Sequence, residues 1–544
     1  MDSGEKQVSV SELAARTFPF VGARGRAQAQ PLFWLGTAVV AASLAGVLGW
    51  FLFAWPPHED EALALFVGRG SFGQLLHTVI GERGGAPLHF VFAWIVVHLG
   101  GGLGALRVVS LLFAVASIPL IALLGARLAD RTVGLVAAAL ASGTWVVIFH
   151  GVYGRMYSLF LFTSLLSFLA LLPALERGGR HRFVLWGLAL VATLASHPYA
   201  VLVVGAQVLF VCLRRVRLRA AFVTLAAVGV AGIPFWWADI VLRNRFDVGV
   251  GGGGRQLGSP GSVLHYFWWV SGDFAAGHYA WSVPVLLLAL AGTVLLARRR
   301  ARSVVLAACV IAVPAFAFTV ATLGSSTSPE SRHLIFALPF FSTVIAVTLV
   351  EVGRLRPPLT GAIAVLGVAT LIVGEVRWAH QKTPPLFDGD PSTEVQAAKA
   401  AAAWLASTSR PDDVLLGYEP LFLRAWEANR SFSSQVIPRA DPVLFARALR
   451  KLGLPLGHGI WVFDASDTTN VRERQTIRFA LPQPAASFEG HVYGPYLVIR
   501  SRRPLVSPAR YLAVSESVMR LGQELRISDA SVNLQTMRQA ESRL

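Results

Sequence analysis

Apolar blocks of about 15–22 residues recur from residue 32 to residue 376, and nothing else constrains the fold as strongly. A helix needs ~20 such residues to cross a hydrocarbon core. The blocks lie near 32–55, 105–126, 132–149, 156–175, 183–196, 199–213, 219–237, 281–297, 303–323, 333–351 and 359–376. With 54% hydrophobic and 15% charged residues over 544 positions, the chain is too apolar for a soluble protein of this size. The sequence therefore reads as a mainly α, polytopic membrane bundle of about eleven spans. The first 30 residues are polar, and no small-residue cleavage pattern follows the first block, so no signal peptide is expected.

One stretch, 183–213, needs separate treatment. A single helix there would be about 46 Å long at ~1.5 Å per residue. Arginine-rich segments flank it on both sides, "ERGGRHR" and "RRVRLR", and both belong in one compartment. Two short helices turning at "SHPY", with Pro198 at the break, satisfy both demands. With an inside N-terminus, the turns "RLADR", "RGGRHR", "RRVRLR", "RRRAR" and "RLR" fall inside and hold fifteen arginines. The short outside turns hold only Arg155 and Arg332, the asymmetry that the positive-inside rule demands. This assignment requires "PLHFVFAWIVVHLG" (87–100) to lie at the interface or re-enter rather than span.

The formal charge of +17 raises nucleic acid as a partner, but the arginines sit in short loops between apolar blocks, where they act as topology signals. No nucleic-acid face is expected. Lysine is nearly absent between residues 7 and 381. Arginine in its place suits a phosphate-bearing ligand, and a GC-rich genome would leave the same bias. The two cysteines, Cys212 and Cys309, both fall in apolar segments and support neither a disulfide framework nor a thiolate metal site.

Past residue 377 the pattern changes. "STEVQAAKAAAAWLAS" and "DPVLFARALRKLG" read as helices, and "DVLLGY", "GIWVFDAS" and "HVYGPYLVIRS" as strands. The expected organisation is a cytoplasmic tail (1–30), a membrane domain (31–376) and an extracytoplasmic α/β domain (377–544). The glycine run "GVGGGG" (249–254) reads as a flexible part of an outer loop.

By this topology ionisable groups from separate places converge at the outer face: His58, Glu59, Asp60 and Glu61 in "WPPHEDEALAL", Arg155 in "GVYGRMYSL", His197 in "SHPYA", and Arg332 and His333 in "PESRHLIFALPF". The aromatic stretch "HYFWWVSGDF" (265–274) joins them. Clustered charge beside a bilayer is costly and marks a functional site. Each element alone has a plainer reading. "HEDE" suits a solvated first helical turn, the arginines can snorkel to headgroups, His197 before a proline can be structural, and the aromatics can form an interface belt. None of these explains their co-location.

"DEA" at 60–62 after the first span, "RMYSL" at 155–159, the "SHPYAVLVVGAQ" turn and "SRHLIFALP" resemble the integral-membrane glycosyltransferases of the GT-C fold. The nearest groups are the protein O-mannosyltransferases and the aminoarabinose and related bacterial transferases. The resemblance covers roughly residues 31–376. It implies a polyprenyl-phosphate-linked sugar donor used at the extracytoplasmic face, with membrane lipid and an extracytoplasmic acceptor as the other partners. It also implies Asp60 as catalytic base, Glu61 at a second acidic position, and Arg332 and Arg155 on the lipid phosphate. Tyr157, His197, His333, His58 and Glu59 complete the expected substrate-binding set. Relatives often carry an acidic residue two before the arginine, where this chain has Tyr153; that weakens the case for a second carboxylate from this turn and for a metal built on it.

The chemistry stands without the resemblance. Transfer from a phosphate-linked sugar needs a base for the acceptor hydroxyl, worth about 10²–10⁴-fold, and fixed cations for the departing phosphate. A single base points to inversion. The donor carries its own activation, and neither a P-loop nor a dinucleotide fingerprint is present. Glu59, Asp60 and Glu61 offer hard oxygen ligands to a divalent cation, but adjacent carboxylates rarely point one way, so no cofactor is expected to be obligatory. Mannose, arabinose and aminoarabinose would present the same phosphate to the same arginines, and the acceptor is equally open. A transporter or flippase, or a silent relative, is the competing reading. Transporters place their sites near the midplane between repeats, and no repeat is evident here.

Overall fold

The computed structural model describes residues 23–52, 57–246, 257–275, 279–324, 329–355, 391–439, 441–465, 478–527 and 529–544. The last expected apolar block (359–376), the glycine run and most of the expected N-terminal tail lie outside the described residues.

Among the described residues the membrane part is built of helices. In chain order its helices are α1 (Ala23–Phe51), α2 (Glu59–Gly68), α3 (Pro87–His98), α4 (Leu103–Leu128), α5 (Arg131–Ser142), α6 (Trp145–Val152), α7 (Tyr157–Arg177), α8 (Arg180–Ser196), α9 (Ala200–Arg214), α10 (Leu218–Ala231), α11 (Ile233–Phe246), α12 (Pro260–Asp273), α13 (Tyr279–Gly324) and α14 (Leu338–Leu355). A short helical turn, Phe72–Leu76, and a π-helical turn, His77–Arg83, precede α3, and a 3-10 turn, Ser331–Ala337, leads into α14.

Among the described residues, five helices are long and apolar enough to cross a membrane, or up to seven if each of two bent pairs counts as one span. The expected eleven is not reached by this measure, for identifiable reasons. Helices α8 and α9, the pair expected to turn at "SHPY", are 17 and 15 residues long, short of the ~20 needed to cross alone. Two blocks expected as single spans are bent: α5 with α6 by 63° and α10 with α11 by 57°. The blocks 281–297 and 303–323 run together in the 46-residue α13, whose backbone leaves helical geometry at Arg300 (φ −145, ψ 67). Segment 87–100 forms a 12-residue helix, about 18 Å long at ~1.5 Å per residue.

Close approaches and satisfied polar groups fix the bundle. A Cβ on Gly134 of α5 would fall 2.2 Å from the Ala122 carbonyl of α4, so only glycine lets these two helices meet there. Trp186 of α8 donates to Gln207 of α9 at 2.6 Å, and Gln207 donates to Ser167 of α7 at 2.7 Å. That chain ties three helices through groups that would be expensive to leave unpaired in an apolar interior.

The C-terminal part is α/β, as its alternation suggested. Helices α15 (Pro391–Thr408), α16 (Pro420–Ala428), α17 (Pro442–Arg450), α18 (Pro508–Glu524) and α19 (Ala530–Glu541) flank five strands: β1 (Val414–Leu416), β2 (Gln435–Ile437), β3 (Gly459–Asp464), β4 (Phe488–Tyr493) and β5 (Tyr496–Ser501). Their order is β2-β1-β3-β5-β4. Strand β1 pairs in parallel with β2 and β3, while β5 pairs antiparallel with β3 and β4. Alternate side chains of a strand face opposite ways. Trp461 and Phe463 enter a core with α17, α18 and α19. Ile460 and Val462 enter a second core with α15 and α16, and with Leu65 and Phe66 of α2 and Val96 of α3. Because both faces of β3 are covered, it reads as the continuous apolar run "GIWVF".

The two parts thus share a core at one end of the bundle. Polar contacts reinforce the join. Arg69 donates to the carbonyls of Phe432 (2.8 Å) and Ser433 (3.0 Å). Glu427 accepts from the Leu103 amide at 2.7 Å. Arg245 pairs with Asp441 at 2.6 Å, and that carboxylate also caps α17.

Candidate active site

Helix α2 begins where the chain leaves α1. Its N-cap is His58, whose Nδ1 accepts from the Asp60 amide at 3.2 Å, while the Glu61 carboxylate accepts from the His58 amide at 3.0 Å. This reciprocal cap fixes the turn and sends three consecutive carboxylates in three directions.

Glu61 turns inward and is fully buried, with Arg107 of α4 only 2% exposed beside it. Arg107 Nε and Nη2 grip its two oxygens at 2.8 and 2.7 Å, and the Gly154 amide donates to it at 2.7 Å. A Cβ on Gly154 would come within 2.9 Å of that carboxylate oxygen. With the His58 amide, four donors occupy its two oxygens. Glu61, expected beside Asp60 as a second acidic position, has both oxygens engaged by Arg107 and by the Gly154 and His58 amides in this structure. Glu59 also departs from expectation. It pairs with Arg439 of the C-terminal part at 3.0 Å, and Arg439 also binds Glu419 at 2.5 Å. Glu59 thus meets the C-terminal part.

Asp60 is 34% exposed. Arg155 Nη1 lies 2.5 Å from its Oδ1. The Tyr153 hydroxyl lies 3.2 Å from Oδ2 and 2.8 Å from His58 Nδ1. Burial would raise its proton affinity, but the charges of Arg155, His58 and Arg332 outweigh that and hold the carboxyl well below the usual range. Asp60 is therefore anionic at neutral pH. Asp60 in turn raises the Arg155 guanidinium above its ordinary value against the opposing effect of burial.

Around this pair, Tyr157, His197, Arg332 and His333 come together as the sequence suggested. The Arg332 guanidinium lies over the Tyr157 ring, 5.1 Å from its centre, and binds Glu330 at 2.5 Å. His333 stacks on Tyr199 at 4.5 Å and is fixed by the Glu330 amide donating to its Nδ1 at 2.9 Å. His197 stacks on Phe160 at 4.6 Å, and its Nδ1 accepts the Tyr199 amide at 3.1 Å. That bond assigns the remaining proton of neutral His197 to Nε2. The aromatic stretch lies in α12, which ends at Asp273, and its Tyr266 donates to the Glu330 carbonyl at 2.9 Å, bracing the Arg332 turn.

Sequence reasoning missed His89 and His150. His89 on α3 is buried among these charges and, through burial and the nearby Arg155, is pushed down to about 3. His150 on α6 lies 4.4 Å from Tyr157, centre to centre. Both stood inside segments read only as apolar helices; a histidine in such a segment was the available signal. Five buried nitrogens here, Arg155 Nε, Arg332 Nε, His89 Nε2, His150 Nδ1 and His197 Nε2, lack a hydrogen-bond partner among the described residues. Buried donors are rarely left so. Among the described residues, no group of three or more His, Cys, Asp or Glu side chains is arranged to hold a metal ion.

No protein-family model matches the sequence, and no curated protein matches it. Solved structures do. The apo crystal structure of ArnT from Cupriavidus metallidurans matches 86% of this chain and 98% of its own, with a TM-score of 0.57 and 15% identity. The same protein bound to undecaprenyl phosphate matches 85% and 97% of the two chains, with a TM-score of 0.53 and 14% identity. The chain has the GT-C fold. At 15% identity the likeness is one of architecture.

Proposed function

We propose that the chain is a membrane glycosyltransferase that moves a sugar from a polyprenyl-phosphate-linked donor to a hydroxyl acceptor, with Asp60 as general base and Arg155 and Arg332 on the donor phosphate. The observation that carries the reading is the ring of buried, unpartnered nitrogens around one anionic carboxylate. Arg155 Nε, Arg332 Nε and His197 Nε2 are donors without acceptors among the described residues, and such donors suit an anionic ligand that brings its own oxygens. ArnT, which shares the fold, has been solved with undecaprenyl phosphate bound.

In the proposed reaction the acceptor oxygen bonds to the anomeric carbon while Asp60 takes the acceptor proton. The bond from that carbon to the phosphate oxygen breaks, and its electron pair leaves with the lipid phosphate. Negative charge then grows beside Arg155 and Arg332, where a fixed guanidinium stabilises it most. The ligand-free pairing adds a second feature. Arg155 is engaged by Asp60 until a phosphate competes for it. That competition relieves the effect that depresses Asp60, so donor binding strengthens the base. Attack governed by one carboxylate leads to inversion at the anomeric carbon. Because Arg155 occupies Asp60 Oδ1 and Tyr153 faces Oδ2, a divalent cation would first have to displace a cation already present. We therefore infer that no metal is obligatory.

We place the site at the extracytoplasmic face of a cell membrane, with the C-terminal domain on the same side and eleven spans as the working topology. Arg107 and Arg127 stand on the same helix, 20 residues apart, which is about 30 Å at ~1.5 Å per residue and matches a ~30 Å hydrocarbon core. The arginine-rich turns cluster with Arg127, at the end away from Asp60. The test supplies purified protein in lipid with radiolabelled polyprenyl-phosphate mannose, arabinose and aminoarabinose, with a membrane extract as acceptor. Transfer of label from one donor supports the reading and names the sugar. No transfer from any donor, with label instead crossing the bilayer of sealed vesicles, overturns it in favour of a flippase.

A further inference from the structure

At the end of the bundle opposite Asp60, a cavity of about 260 Å³ opens between the last turns of α4, α7 and α9 and the second half of α13. By the same measure a water needs ~10–15 Å³, so the space admits a group much larger than a solvent molecule. Its wall carries Arg127, Arg214 and Arg302. Its floor is apolar, built from Leu172, Leu175 and Phe210 among others. A basic residue in the last turn of a helix offsets the macrodipole, which accounts for Arg127 and Arg214 one at a time. It does not account for three guanidiniums around one cavity. Among the described residues, none of the three side chains makes an ion pair or hydrogen bond; Glu176 is the single carboxylate in the lining, and no pairing with it is seen.

We infer that this cavity binds the phosphate headgroup of an anionic membrane lipid in the leaflet opposite the transfer site. Guanidiniums supply planar, permanently charged donors for phosphate oxygens. The leucine and phenylalanine floor takes the first methylenes of the chain, which a free phosphate ion would leave uncovered. The site is separate from the Asp60 cluster, because α4 and α7 run the length of the bundle between them. A lipid held there would bridge α4, α7, α9 and α13, the helices that also carry or support Arg107, Tyr157 and the turn at His197.

The test uses the full chain in detergent with dioleoyl phosphatidic acid, dioleoyl phosphatidylcholine or inorganic phosphate as probe, read by native mass spectrometry. Wild type is expected to retain phosphatidic acid in preference to phosphatidylcholine, and Arg127→Gln/Arg214→Gln/Arg302→Gln to lose retention at least tenfold. The control variant Arg180→Gln/Arg219→Gln/Arg298→Gln removes three exposed arginines that do not line the cavity, and retention should persist. Equal retention by wild type and the cavity variant overturns the inference. So does equal loss in both variants, which would mean general attraction of basic turns for anionic lipid. Displacement of the lipid by millimolar inorganic phosphate would assign the cavity to a free anion and overturn the lipid reading. None of these outcomes depends on transfer activity.

Discussion

Asp60 and Glu61 are neighbours in sequence and opposites in setting. Glu61 is fully buried and saturated: Arg107 grips both of its oxygens, and two backbone amides complete the set. Asp60 is 34% exposed and pairs with Arg155, in a neighbourhood where several buried nitrogens have no partner among the described residues. The difference separates a carboxylate that holds structure from one that awaits a ligand. The capping geometry of His58 creates that separation, because it fixes which of the two faces Arg107 of α4 and which faces Arg155.

The sharpest way to break the comparison is Glu61→Gln. Removing one partner of a buried ion pair leaves Arg107 uncompensated and costs about 3–5 kcal/mol, so a large drop in thermal midpoint is expected, measured by unfolding in detergent. A variant of wild-type stability would contradict the positioning role. Arg332→Gln acts on the other side of the comparison. Losing a charged hydrogen bond to the donor phosphate costs roughly 1.5–3 kcal/mol, which should raise the donor KM about tenfold or more while the thermal midpoint stays near wild type.

Proton titration sharpens the same contrast. His197, pushed down by burial and then by Arg155 and Arg332, and His89 both titrate near 3. An unfolded histidine titrates at ~6.5. Their neutral burial therefore contributes stability that is fully present above about pH 6.5 and is lost as pH falls toward 3. Between pH 6.5 and 5 the loss is about 2 kcal/mol per histidine, and the pH dependence of the unfolding midpoint should flatten in His197→Gln. The smallest effect belongs to Glu59→Gln at the domain contact. This partly exposed pair with Arg439 is worth roughly 0.2–1 kcal/mol, and transfer should be unchanged.

Much of the site was legible because charge next to an apolar run is conspicuous. Asp60, Arg155, His197, Arg332 and His333 were drawn to one face by counting arginines in turns, and the structure brings all five together. What could not be read was pairing. Nothing local in "HEDE" distinguishes a carboxylate gripped by Arg107 from one left open, since the partner is 46 residues away. Arg107 carried a signal of its own: an arginine a few residues inside an apolar block demands a counter-charge. His89 and His150 were hidden by the apolar residues around them. Tyr153 stood out in the sequence as a departure, and the structure makes it a hydroxyl facing Asp60. Strands β1 and β3 and helices α15 and α17 were legible from alternation and continuous apolar runs, and "HVYGPYLVIRS" covers parts of both β4 and β5, whereas β2, α16, α18 and α19 were not read. The span count departed from eleven where the chain bends at Gly143 and Gly232 inside blocks of uniform hydropathy.

The most direct test separates binding from chemistry at Asp60. Undecaprenyl-phosphate binding and sugar transfer would be measured side by side on wild type and Asp60→Asn in the same lipid. Loss of the carboxylate frees Arg155, so binding should be equal or tighter while transfer falls about 10²–10⁴-fold, the contribution of a lost general base. Transfer equal to wild type, or binding and transfer lost together, would contradict the role assigned to Asp60.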